Sequence, residues 1–306
     1  MAKVKEKNIK VVVAMSGGVD SSVAAAILKQ QGYDVVGVLM HLWEASGGQD
    51  KRLAKACCSS EAEYRARQVA SQLKIPFYVF HFEKDFEKAV VNYFLSELKN
   101  GRTPNPCVVC NQQIKFGLLF SKALAMAADF VATGHYVREI KSQKSKVKSE
   151  NQKSKLLIAK CGEKDQSYFL WRLTQKQLSR VLFPLGNFKS KQEVRQKAKE
   201  FGLITAQAPE SNDVCFLQDT EINGFLKTHL GLKAGKIVNT AGQAVGKHNG
   251  LWFYTIGQRK GLGLSDGPWF VVSKNIKKNL LVVSQNEKDL LGKELFVKDV
   301  DRKSVV

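Results

Sequence analysis

Apolar residues in the first 137 positions fall in continuous runs rather than in alternation. The runs are "IKVVVAM" from Ile9, "DVVGVLMHLW" from Asp34, "IPFYVFHF" from Ile75 and "FVATGHYV" from Phe130, and segments such as "SEAEYRARQVASQLK", with helical spacing, lie between them. A strand apolar on both sides is buried on both sides, so such runs alternating with helices predict a parallel sheet covered on each face. Ligands of these sheets bind beyond the carboxyl ends of the strands.

The pattern then changes. Residues 138–155, "REIKSQKSKVKSENQKSK", hold too little apolar content to order themselves and read as an exposed, mobile loop; a basic arm touching RNA is the alternative. "KSKQEVRQKAKEFGL" is helical again, with Ser190 as N-cap and Gly202 at its end. After about residue 210, glycines separate short strand-like pieces in "GLKAGKIVNTAGQAVGKHNGLWFYTIGQRKGLGL", and "PWFVVSKNIKKNLLVVSQ" supplies a further strand pair. The expected organisation is a catalytic α/β domain over 1–210, a small β-rich domain over 211–285, and a strand-like start of another element over 286–306.

Charge narrows the choice of partner. A formal net charge of +20 over 306 residues suits a polyanion, nucleic acid first, although a merely soluble lysine-rich surface would give the same total. The N-terminal "MAKVKEKNIK" lacks a signal peptide's apolar core and no segment reaches the ~20 apolar residues that cross a bilayer, so a soluble cytoplasmic protein without membrane contact is expected. In that setting six cysteines indicate thiol or metal chemistry rather than a disulfide framework.

Two places carry that chemistry. In "AMSGGVDSS" the first strand ends at Met15, Gly17 and Gly18 allow a tight turn, and a helix begins near Asp20 to Ser22, with Val23, Ala24, Ile27 and Leu28 on one face and Gly32 at its end. Main-chain N–H groups and the positive end of a helix dipole make such a turn a phosphate cradle. It is neither G-x-x-x-x-G-K-[ST] nor G-x-G-x-x-G, but resembles the S-G-G-x-D-S loop of enzymes that cleave ATP between its α and β phosphates. The second place is "GRTPNPCVVCNQQIKFG", with Cys107 and Cys110 ahead of a helical pattern; a cysteine at a helix N-terminus gains thiolate character, and Cys110 is the better placed. Cys215 lies in "PESNDVCFLQD". A zinc or iron–sulfur site drawing on Cys107, Cys110 and two of Cys57, Cys58, Cys161 and Cys215 lacks a second C-x-x-C pair, and Cys161 reads as a buried small hydrophobe.

Taken in order, "AMSGGVDSSVAA", "VLMHLW", "GRTPNPCVVCNQQIKFG", "VATGHYVR", "KDQSYFLWRL", "FPLG", "ESNDVCFLQD" and "GLWFYTIGQRKGLG" resemble the tRNA-specific 2-thiouridylase family over essentially the whole chain. The resemblance implies an adenine nucleotide α-hydrolase-like, Rossmann-like N-terminal domain, then the β-rich domain and a C-terminal β-barrel of which residues 286–306 would be the truncated start. It implies ATP-dependent adenylation of the 2-carbonyl oxygen of the wobble uridine, followed by replacement of that oxygen with sulfur. By the same resemblance Ala14, Met15, Ser16, Gly17, Gly18, Val19, Asp20 and Ser21 hold ATP, with Met40 and Gly134 flanking the adenosine. Cys110 is the nucleophile and Cys215 carries a persulfide. Asn105, Pro106 and Cys107 meet the target base, and His135, Lys164, Asp165 and Gln166 contact tRNA.

The implied partners are lysine, glutamate and glutamine tRNAs and a persulfide donor fed by a cysteine desulfurase. Magnesium is expected with ATP, Asp20 being the candidate ligand or else a helix cap, and no permanently bound cofactor is expected. Two departures stand out. Cys107 occupies a position where some members carry aspartate, and Arg65 replaces a more usual acid in what looks like a surface change.

Overall fold

The computed structural model describes residues 9–43, 60–141, 154–210, 214–217, 222–292 and 294. Cys57, Cys58, positions 142–153 of the lysine-serine tract and the chain from 295 onward lie outside the described residues. The chain divides into two compact units, one joining Met1–Ala89 with Cys107–Phe216 and Arg302–Val306, the other joining Val90–Pro106 with Leu217–Asp301.

The first unit opens with β1 (Lys10–Ala14), α1 (Val19–Gln30), β2 (Asp34–His41), α2 (Ser60–Gln72), β3 (Phe77–His81) and α3 (Glu83–Phe86). Within the second unit, α4 (Asn92–Lys99) follows. Helix α5 (Pro106–Cys110) runs on through a π-helical stretch, Asn111–Leu119, into α6 (Phe120–Ala125). Then come β4 (Phe130–Ala132), the hairpin strands β5 (Arg138–Lys141) and β6 (Ser154–Leu157), α7 (Gln175–Leu178), β7 (Val181–Leu182) and α8 (Lys191–Glu200). The sheet has the order β3-β2-β1-β4-β7 and every pairing in it is parallel, as the apolar runs predicted. Val11, Val12 and Val13 of β1 are wholly buried, and helices α1, α2 and α8 add Val23, Ala24, Ala66, Val69, Val194 and Ala198 to the core.

Three local expectations change. Helix α1 starts at Val19, with Gly18 as its N-cap, so it begins before Asp20. The start of α5 is at Pro106, whose missing N–H and fixed φ suit a first helical position. This puts Cys107, not Cys110, in the first turn. Both ends of the tract expected to form a loop pair as antiparallel strands, Arg138 opposite Leu157 and Lys141 opposite Ser154, because Ile140, Leu156 and Leu157 supply enough β-forming text at its margins. Ser190 does cap α8, its hydroxyl accepting from the Glu193 N–H at 3.2 Å. Gly202 takes φ +65° just past the helix end.

In the second unit, α9 (Ile222–Leu230) precedes β8 (Gly235–Asn239), β9 (Ala244–His248), β10 (Phe270–Asn275) and β11 (Leu280–Ser284). Their order is β10-β11-β8-β9, antiparallel at the two outer pairs and parallel between β11 and β8. Ile237, Leu251, Val271, Leu281 and Val283 form its small core. No helix among the described residues is long and apolar enough to cross a membrane.

Candidate active site

The site is built at the carboxyl end of β1. Met15 closes the strand by donating its N–H to the Val38 carbonyl of β2 at 2.8 Å, and the chain turns through Ser16, Gly17 and Gly18 into α1. Gly17 has φ +72°, and a Cβ on it would lie 2.2 Å from the Ala62 carbonyl oxygen of α2. Only glycine meets both demands. The turn is pinned from within: the Ser16 N–H donates to Ser21 Oγ at 3.1 Å, and the Gly18 carbonyl accepts the Ser21 and Ser22 hydroxyls at 3.2 and 2.8 Å. The first N–H groups of α1 have no partners inside the helix, so the turn presents donors and the positive dipole end to an anion.

A third contact was not legible in advance. Arg65 of α2 donates its Nε hydrogen to the Gly17 carbonyl oxygen at 3.0 Å while its other end pairs with Glu61. The residue read as a surface change therefore buttresses the loop from below.

Asp20, in the first turn of α1, caps nothing. Its two oxygens accept from Tyr136 Oη and Lys191 Nζ, each at 2.6 Å. Burial first, then the charge and hydrogen bond of Asp20, push the Tyr136 phenol far above its ordinary pKa, so it stays a donor. With a phenol and an ammonium on its carboxylate, Asp20 does not offer the oxygen-rich surroundings that magnesium takes.

Lys191 links this corner to an open cleft of about 580 Å³ lined by Cys161 to Lys164, Lys189 to Gln192, Arg195 and Glu210. Glu210 accepts from Lys164 at 2.9 Å, with Arg195 at 3.7 Å and Lys191 at 4.0 Å. The Lys164 bond, with Lys191 and Arg195 adding to it against partial burial, holds the Glu210 carboxyl below the usual range. Three basic side chains thus share one carboxylate beside the glycine turn, and Lys189 adds a fourth to the cleft, an arrangement suited to phosphate oxygens.

From the end of β4, Gly134 reaches the same corner. A Cβ there would lie 2.8 Å from the Ser21 nitrogen, so glycine lets the post-β4 chain sit against the first turn of α1. Next to it His135 is buried between Phe116 and Phe183, its Nδ1 2.8 Å from Thr133 Oγ1. Burial, assisted by the charge of Lys115, lowers its pKa well below 6.5 and keeps it neutral.

Of the three candidate thiols, Cys110 is buried and Cys107 and Cys215 are half-buried. Burial raises the Cys107 pKa, with Lys115 only partly opposing it. Asn111, next to Cys110, donates to the Phe169 carbonyl at 3.2 Å, yet its buried Oδ1 finds no partner among the described residues. There the α-helix passes into the π-helical stretch, whose Phe116 carbonyl accepts from Gln177 Nε2 at 2.5 Å. Such irregular helix is frequent at functional sites. Cys215 precedes Phe216, which packs edge-on to Phe86 at 5.5 Å.

Two family models match, described as a tRNA methyl transferase HUP domain over residues 9–219 and a tRNA methyl transferase PRC-barrel domain over 223–285. A tRNA-specific 2-thiouridylase of Acetivibrio thermocellus is 44% identical over 95% of this chain and 80% of its own. One from Thermoanaerobacter sp. is 47% identical over 95% and 79%, and one from Clostridioides difficile 44% over 96% and 80%. The chain belongs to the tRNA-specific 2-thiouridylase family.

Of the positions that the thiouridylase resemblance marked, the structure brings Ser16 to Ser21 and Gly134 to one corner. Met40 lies near the end of β2, the strand beside β1, and Lys164 lines the adjoining cleft. Asp165 and Gln166 are occupied in shaping their own turn: Asp165 accepts from Ala159 and Ser167, and Gln166 Oε1 from the Tyr136 N–H at 3.0 Å. Asn105 and Pro106 belong to the second unit, immediately before Cys107. Sequence reasoning missed Tyr136, Lys191, Arg195 and Glu210 as well as Arg65. Tyr136 and Glu210 sat inside quoted motifs, "GHYV" and "PESNDVC", and Lys191 follows a recognised N-cap, so the text carried a signal for these three.

Proposed function

We propose that this chain makes 2-thiouridine in tRNA by an ATP-dependent sulfur transfer. The observation that carries the reading is Gly17, whose positive φ and main-chain contact with Ala62 hold a phosphate-sized turn open at the end of β1, next to a cleft of four basic side chains. In this reading the turn and the first N–H groups of α1 bind the ATP phosphates, and Lys191, fixed by Asp20 and Glu210, offsets charge on the departing pyrophosphate. Magnesium is expected only as the counter-ion that ATP brings.

The uracil 2-oxygen attacks the α phosphorus and expels pyrophosphate, which turns a poor leaving group into AMP. Cys215 carries sulfur as a persulfide delivered by a donor protein. Its terminal sulfur attacks the activated carbon and expels AMP, after which the Cys110 thiolate attacks the Cys215 Sγ, frees the thiocarbonyl and leaves a Cys110–Cys215 disulfide. If Cys110 attacks first, hydrosulfide is released, the same disulfide forms, and hydrosulfide displaces AMP. A thiol reductant resets either route. The net positive charge of the chain supplies sequence-independent affinity for tRNA, of which the lysine, glutamate and glutamine isoacceptors are the expected substrates.

The test is mass spectrometry of nucleosides from such tRNAs incubated with the protein, ATP and a persulfide donor. Expected are 2-thiouridine, AMP and pyrophosphate from the intact chain, and no 2-thiouridine from Cys110→Ser or Cys215→Ser. Formation of 4-thiouridine, or full activity in either variant, overturns the assignment.

A further inference from the structure

Besides the glycine turn and the thiols, a second group of reactive side chains converges at the carboxyl edge of the sheet. Strands β2 and β3 pair in parallel with His41 opposite His81, so the two imidazoles leave the sheet on the same side, with ring centroids 5.5 Å apart. Two residues after His81 the chain turns into α3, and Glu83 at its start points back at both rings. Its Oε1 stands 2.7 Å from His41 Nδ1 and 2.8 Å from His81 Nδ1. The ligating atoms of the three residues lie within 4.8 Å of one another.

Partial burial favours a neutral Glu83, but hydrogen bonds from His81, from its own backbone and from His41 outweigh it and hold the carboxyl below the usual range. The residue is a carboxylate at neutral pH, a hard anionic ligand beside two imidazoles. Two nitrogens and one oxygen converging from fixed backbone positions form the open three-ligand set that borderline divalent ions take, with water completing the coordination. Metal bonds of about 2.0–2.2 Å need ligand atoms about 3.3–3.5 Å apart, so the Glu83 contacts have to open by only about half an ångström. Nothing in the sulfur-transfer chemistry calls on these residues.

We propose that His41, His81 and Glu83 bind one divalent transition-metal ion of the zinc class. The ion takes the place of the two Nδ1 protons that face Glu83, which pass to Nε2 of the neutral rings or to solvent, and it clamps β2, one residue beyond Met40, to β3 and the start of α3.

Cobalt(II) alone, titrated into the full chain, tests this without reference to activity. A nitrogen and oxygen site gives visible d–d absorption with no sulfur-to-cobalt band in the near ultraviolet, which separates it from the cysteines. Expected are one saturating equivalent, displacement by zinc, a metal-dependent rise in Tm, and at least about tenfold weaker binding in His81→Ala and Glu83→Gln. The His81 side chain is 69% exposed, so its removal leaves the fold intact, and near-UV circular dichroism verifies this. Absence of saturable binding, equal affinity in both variants, or absorption that carries the sulfur band and disappears when the thiols are alkylated overturns the proposal in favour of a simple hydrogen-bonded cluster.

Discussion

Arg65 holds Gly17 by its main-chain oxygen, 3.0 Å from the guanidinium Nε, so that helix α2 supports the glycine turn by one charge-assisted hydrogen bond. A charged hydrogen bond is worth about 1.5–3 kcal/mol, and partial exposure of the guanidinium brings this one down to about 1–2 kcal/mol. Arg65→Ala is expected to raise the KM for ATP roughly five- to thirtyfold with a smaller change in kcat, measured as AMP release. An unchanged KM would reduce the contact to a surface ornament.

Gly17→Ala acts on the same turn by geometry alone. It places a Cβ at φ +72° and drives it into the Ala62 carbonyl, which neither backbone can relieve. The expected loss of stability is about 1–3 kcal/mol from backbone strain, with the clash adding to it, together with loss of AMP formation. Urea denaturation and the ATP–pyrophosphate exchange assay report the two effects separately.

Lys191 donates to Asp20 and lies within ion-pair range of Glu210. Lys191→Met leaves two carboxylates, Asp20 and Glu210, without their shared cation at the cleft. AMP release is expected to fall tenfold or more, on the scale of about 1.5–3 kcal/mol for a charged hydrogen bond. Affinity for a tRNA fragment, followed by fluorescence anisotropy, should change far less.

His135 gives a pH signature. Its folded pKa lies well below 6.5, so between the two values the unfolded chain binds more protons than the native one. The stability it confers is present above pH 6.5 and is lost as the pH falls through that range. Between pH 7.5 and 5.5, wild type is expected to lose more stability than His135→Gln, compared by urea denaturation at each pH. A parallel loss in the two proteins would show that this imidazole is not buried neutral.

Cys107 contrasts with a surface thiol. Burial raises its pKa, so alkylation by iodoacetamide at pH 7.5 is expected to be slower than for a free cysteine peptide, accelerating only as the pH climbs above the ordinary thiol range. Peptide mass mapping of the time course checks this, and fast labelling at neutral pH counts against it.

What the sequence made legible follows from how local each signal is. The apolar runs yielded four of the five strands of the parallel sheet because burial on both faces leaves its mark residue by residue; β7, two residues long, carries too little text. The turn at Gly17 was visible because glycine is demanded by its own dihedral angle. The cap at Ser190 was equally local. Arg65, Lys191 and Glu210 were hidden for the opposite reason: each acts on a residue 46 to 171 positions away, and a basic or acidic side chain on a polar helix face or loop reads as solvated. The start of α5 lies earlier than expected because both cysteines fall inside the helix that Pro106 opens rather than ahead of it, and the π-helical stretch has no compositional marker at all. The grouping of Val90–Pro106 with the distant β-rich region also lies beyond any window of neighbouring residues.

The hairpin at Arg138–Lys141 and Ser154–Leu157 has a thermodynamic corollary. With Lys141 and Ser154 held side by side, the closure entropy of whatever joins them grows only with the logarithm of its length, about 0.6 kcal/mol per doubling. A change in the number of residues between Lys141 and Ser154 therefore costs only tenths of a kcal/mol, and the strand register from Arg138 to Leu157 is set without it.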